Sequence, residues 1–175
     1  MIDTDEYTQA DDVVDAAPSL AFASLREQAR AQMAKAKAAR TIDLDIPGVN
    51  ALVGRFNVLS YDALAKIAKQ TTTDKRPRAE LYGQCSTLAQ ACVEIFGRID
   101  GGLVPLADGL EGDDKAPVRF DRRLCEFLGL APASTSVGCV LALISDVRIP
   151  GLYLDYMDWH SGAAADAEGE ALGEA

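Results

Sequence analysis

Apolar positions along this chain recur with two different periods, and the change of period marks out its elements. From Ala79 to Arg98 (AELYGQCSTLAQACVEIFGR), Leu81, Cys85, Leu88, Cys92 and Ile95 return every three or four residues. On a 3.6-residue helix that spacing makes one apolar stripe, widened by Ala89 and Phe96. No proline interrupts it, and Gly97 stands where a helix stop is expected. The stretch is predicted to be the central helix of the domain. The same period returns in Phe120, Leu124, Phe127 and Leu128, a helix that stops at Gly129. It returns again in Val137, Val140, Leu141 and Ile144, inside a helix over 133–147 capped by Ser134 or Thr135. A last helix follows Ile149-Pro150, with Leu152, Tyr156 and Trp159 on one side. Ser60 is expected to cap a shorter helix through about Gln70, with Leu64, Ile67 and Ala68 facing inward.

Period two governs one segment. Ile42, Leu44 and Ile46 alternate with Asp43 and Asp45, the signature of a half-buried strand. Pro47-Gly48 makes a turn, and Val53 to Leu59 suits a returning strand, so a β-hairpin is expected over 41–59. Asp100-Gly101-Gly102 between apolar residues signals a further turn, in either a short strand pair or an extended crossing. The segment from Ala107 to Pro117 reads as an exposed loop. Together these elements predict an α+β fold, predominantly α: a small helical domain over 41–160 with one N-terminal β-hairpin.

Outside that domain the pattern fades. Ser19 to Arg40 reads as a projecting helix whose second half is rich in Ala, Lys and Arg. It is helical by propensity with little to bury, either solvated or used to bind a partner. Residues 1–18 and 161–175 are acidic and without period, and are expected to be disordered. Net charge sharpens this division. The chain carries −10, yet 1–18 and 155–175 each hold six acids and no base, leaving 15 acids against 17 bases between them. A near-neutral body with two acidic tails disfavours DNA phosphates and favours solubility or a basic partner.

Candidate chemistry adds little. Cys85, Cys92, Cys125 and Cys139 have no metal-ligand spacing and read as reduced, buried thiols of an intracellular protein. No apolar run is long enough to span a membrane, and the N-terminus is acidic where a signal peptide is basic. His160, the single histidine, has Asp158 and Asp155 at offsets that do not share its helix face. The Asp113-Asp114 and Asp43/Asp45 pairs lack the loop spacing of a cation site, and Gly101-Gly102 precedes no Lys-Ser/Thr. A helix-turn-helix reading of 133–144 fails because its recognition helix has no base. No catalytic, cofactor-binding or metal site is expected. Trp159, beside Tyr153, Tyr156 and Met157, serves either as a core seal or as an aromatic anchor for a partner.

The order of these patterns resembles the tail assembly chaperones of long-tailed (siphovirus-type) phages that infect actinobacteria. The matching features are DLDIPG at Asp43–Gly48, RFNVLSYDALAKIA at Arg55–Ala68, the Leu81–Phe96 segment and DGGLVPL at Asp100–Leu106. They continue through VRFDRRLCEFLGL at Val118–Leu130, the helix with VLAL, and YLDYMDW at Tyr153–Trp159. The resemblance implies a non-catalytic factor of the host cell cytoplasm that binds and solubilises the tape measure protein and is absent from the virion. It also implies a longer, frameshifted product that recruits the tail tube protein. A groove between the Phe120–Leu128 helix and the last helix, with Phe127, Tyr153, Tyr156 and Trp159 near it, is the expected binding surface. A structural phage component, either a head–tail connector or a tail completion protein retained in the virion, is the alternative.

Overall fold

The computed structural model describes residues 22–31, 40–110 and 115–173. Two units separate at Ala39/Arg40. In the first, residues 22–31 are helical, with Phe22 and Leu25 exposed. The acidic segment at 1–18 lies outside the described residues; the one at 161–175, expected to be disordered, instead continues the last helix as far as Gly173.

The second unit runs β1 (Thr41–Asp45), β2 (Leu52–Asn57), α1 (Tyr61–Thr73), α2 (Ala79–Ala91), β3 (Cys92–Ile99) and β4 (Gly102–Pro105). A 3-10 turn at Leu106–Gly109 leads on to α3 (Arg122–Phe127), α4 (Ser136–Leu143) and α5 (Ile149–Gly173). The strands form one antiparallel sheet in the order β1-β2-β3-β4. This corrects the expectation of a single hairpin: the fold is α+β with a four-stranded meander.

The error lies in the Ala79–Arg98 stretch. Its first thirteen residues are helical, but the helix ends at Ala91 and the chain turns extended at Cys92 (φ −66°, ψ 118°). Leu88, Cys92, Ile95 and Phe96 are spaced to satisfy a helical stripe, so periodicity alone mistakes the second half. What wins is composition and pairing. Val93, Ile95, Phe96 and Ile99 are β-branched or aromatic, and the strand they form is bonded on both sides, to β2 and β4. Ile95 is fully buried there. Gly97 is a strand residue opposite Val104, and it terminates no helix.

Local chemistry explains the turns. Asp100 and Gly101 both take positive φ (50° and 80°), which the two-residue connection from β3 to β4 requires. Gly54 on β2 leaves room for a core ring: a Cβ there would stand 2.7 Å from Cε2 of Phe56. Helix starts follow the side-chain oxygens. Ser60 Oγ accepts from the Ala63 amide, Asp121 from Arg123 and Leu124, and Thr135 from Gly138.

One face of the sheet carries Ile42, Ile46 and Phe56 toward the helices, where α2 packs on α1, α4 and α5. Phe56 is the hub of this core, with ring centroids 6.4 Å from Phe120 and 6.0 Å from Tyr156. The other face is a charged ladder. Arg55 stands directly opposite Asp43 and donates to both its carboxylate oxygens (2.7 and 2.8 Å), while its guanidinium lies 4.4 Å over the Phe96 ring. Arg98 donates to Asp45 at 2.7 Å.

Candidate functional site: a groove between three helices

Helices α1 and α2 approach closely at one place. Gly83 faces Thr71, and a Cβ on Gly83 would collide with the Thr71 hydroxyl oxygen. Thr71, Thr72 and Thr73 each donate their hydroxyl back to the carbonyl four residues earlier, which satisfies those groups without a neighbour. The pinch leaves a groove on each side of the contact line through Ile67, Thr71 and Gly83.

The first groove, about 260 Å³, is polar. Asp74 and Arg76 wall it with a two-pronged ion pair, and Arg76 lies 4.7 Å over the Tyr82 ring. The Arg76 guanidinium holds the Asp74 carboxyl below its ordinary range. The second, about 350 Å³, opens toward α5 and is more apolar. Leu64, Ile67 and Ala68 come from α1, Gln84 and Thr87 from α2, and Tyr153 and Met157 from α5, one helical turn apart. Glu80 is its single charged lining residue. Gln84 Oε1 is buried there with no hydrogen-bond partner among the described residues, as is Asn57 Oδ1 elsewhere. An unpaired buried acceptor is uncommon in a folded protein and marks a place where a donor is wanted.

The structure separates the four residues named from sequence. Tyr153 lines the second groove, half-buried. Tyr156 is fully buried, its hydroxyl donating to the Asn57 carbonyl at 3.0 Å, and burial pushes its pKa up to about 12. Trp159 is half-buried with its ring 6.0 Å from Tyr156. Phe127 sits 45% exposed on α3, which packs on α4, and it does not line the groove. His160 is buried: its Nε2–H donates to the Leu59 carbonyl at 3.0 Å, beside the Tyr156 ring. Tyr156 and His160 thus lock α5 to the segment leaving β2.

Sequence reasoning missed Gln84, Thr87 and the part that Leu64 and Ala68 play. The signal that could have found them was Gly83 inside a helical pattern, since a glycine there invites close approach of another helix. Among the described residues no three His, Cys, Asp or Glu side chains gather to hold a metal, and no helix is long and apolar enough to cross a membrane. The four cysteines are free and buried. Burial raises the Cys85 thiol to about 11 and the Cys92 thiol to about 12.

The fold and groove define a mixed α+β domain with an open helical surface. No family model matches the chain, and no curated protein or solved structure matches it either.

Proposed function

We propose that this chain is a tail assembly chaperone of a long-tailed actinobacteriophage, acting in the host cytoplasm to hold the tape measure protein soluble until the tail is built. The observation that carries the reading is the second groove. It offers Leu64, Ala68, Tyr153 and Met157 on the walls of an open channel between helices, the form that accepts one face of an amphipathic helix. A tape measure protein is a long helical chain with apolar seams, and such seams aggregate unless covered. Tyr153 brings a rigid ring with a polar tip and Met157 an adaptable thioether, two side chains suited to gripping varied apolar surface. The order of sequence patterns from Asp43 to Trp159 supports the same reading. A longer frameshifted product, recruiting the tail tube protein, belongs to it as well.

Co-expression with the tape measure gene of the same cluster tests the proposal. The tape measure protein should become soluble and co-purify with this chain. If it stays insoluble and unbound, the chaperone reading fails. Mass spectrometry of purified particles should not detect the chain. Its presence there in stoichiometric amount would replace this reading with that of a connector or tail completion subunit.

A further inference from the structure

Two of the buried thiols touch. Cys125, on the inner side of α3, and Cys139, the fourth residue of α4, have their sulfurs 3.2 Å apart. The Cys125 thiol donates to Cys139 Sγ, and the Cys139 thiol donates to the Asp121 carbonyl at 3.4 Å. Cys125 is fully buried and Cys139 nearly so. Cys92 differs: its thiol turns to the backbone carbonyl of Glu94 at 3.8 Å.

We infer that Cys125 and Cys139 are a dithiol site that closes to an intramolecular disulfide under peroxide, tying α3 to α4. A disulfide needs its sulfurs at about 2.05 Å, a movement of little more than 1 Å from the present contact. The chemistry balances in two steps. One thiol loses its proton and its sulfur attacks a peroxide oxygen; the O–O bond breaks, leaving a sulfenic acid and, with that proton, one water. The second thiol's sulfur then displaces hydroxide from the sulfenic sulfur, and its proton completes a second water. Two thiols and one hydrogen peroxide thus yield one disulfide and two waters.

Burial sets the rate. Burial, with Cys125 alongside, holds the Cys139 thiol protonated well above its ordinary range. A buried, protonated thiol reacts slowly, so closure waits on local opening of α3 or α4. Contact then decides which partner is met. The Asp121 carbonyl loses a thiol donor on closure but keeps the Cys125 amide at 3.3 Å. This site is independent of what the helical groove binds.

The sequence makes the test direct. Cleavage after Arg and Lys releases residues 124–148 as one peptide holding Cys125 and Cys139, and residues 79–98 as another holding Cys85 and Cys92. The folded full chain is treated with hydrogen peroxide, freed of excess oxidant, then unfolded, alkylated with iodoacetamide and digested. Peptide 124–148 should emerge unalkylated and lighter by two hydrogens, while peptide 79–98 carries two alkyl groups. The oxidised chain should also unfold at a midpoint raised by roughly 5 °C, reversed by dithiothreitol. A denatured control shows that the peroxide dose oxidises accessible thiols. If the folded chain then keeps both thiols of 124–148 alkylatable, the inference is overturned. Sulfinic acid at either cysteine, or links joining the two peptides, would overturn it equally.

Discussion

The outer face of the sheet and the groove between α1, α2 and α5 are both open surfaces, and they are finished in opposite ways. On the sheet, Arg55 meets Asp43 with two hydrogen bonds and covers Phe96, and Arg98 meets Asp45. That face completes itself. In the groove, Tyr153 and Met157 stand half-buried beside Leu64 and Ala68, and Gln84 keeps a buried acceptor unpaired. The difference shows how a small domain divides its surface. A charged ladder satisfies its own polar groups, whereas the groove leaves apolar side chains in the open and one acceptor unpaired among the described residues.

Substitutions can break or sharpen that contrast, beginning beneath both surfaces. Phe56→Ala removes the ring that joins the sheet to Phe120 and Tyr156, and should lower stability by about 3–5 kcal/mol in denaturant unfolding. If the chain holds the tape measure protein as proposed, the pair Tyr153→Glu and Met157→Glu should weaken that capture by roughly 30-fold or more in a pull-down titration. Asp45→Asn on the sheet should leave that capture unchanged. Equal losses from both changes would erase the distinction between the surfaces.

Smaller effects separate the two by sign. Tyr156→Phe strands the Asn57 carbonyl and should cost about 1 kcal/mol. Gln84→Leu removes an acceptor that gains nothing in the free chain, so stability should hold or rise by up to about 1 kcal/mol. Asp43→Asn should do the reverse, costing about 0.5 kcal/mol, less at high salt because the pair is partly exposed.

Alkaline titration probes the interior that both surfaces share. Cys85 rises from 9.0 to about 11, Cys92 from 9.0 to about 12, and Tyr156 from 10.0 to about 12. Each raised value means the unfolded chain gives up its proton first. Their contribution is therefore complete below about pH 9 and is lost as pH climbs from 9 to 12. Unfolding midpoints should fall across that window, and Tyr156→Phe should flatten the part above pH 10. A flat profile in the parent chain would show that these groups are not buried in solution.

Much of the architecture was legible residue by residue. The alternation from Ile42 to Ile46, the Pro47-Gly48 turn, the Ser60 and Thr135 caps and the Asp100-Gly101 reversal are local signals. Each depends on a few neighbouring groups, so sequence carries it whole. The site was legible only in part. Tyr153 stood out as an aromatic on the last helix, but the groove it lines is shaped by Gly83 meeting Thr71, a contact between different helices. Phe127 and Tyr156 each lay on the apolar stripe of its helix; packing exposed one and buried the other.

Sequence alone determined the Pro47-Gly48 and Asp100-Gly101 turns, which positions are apolar and that the central body is nearly charge-neutral between acidic ends. The tertiary structure alone decided that Cys92 to Ile99 would be a strand. Its apolar spacing suits either backbone form, its β-branched and aromatic residues lean toward a strand, and the hydrogen bonds offered by β2 on one side and β4 on the other tip the balance. The pairing with β2 is invisible to a local pattern, because that strand lies tens of residues before Cys92.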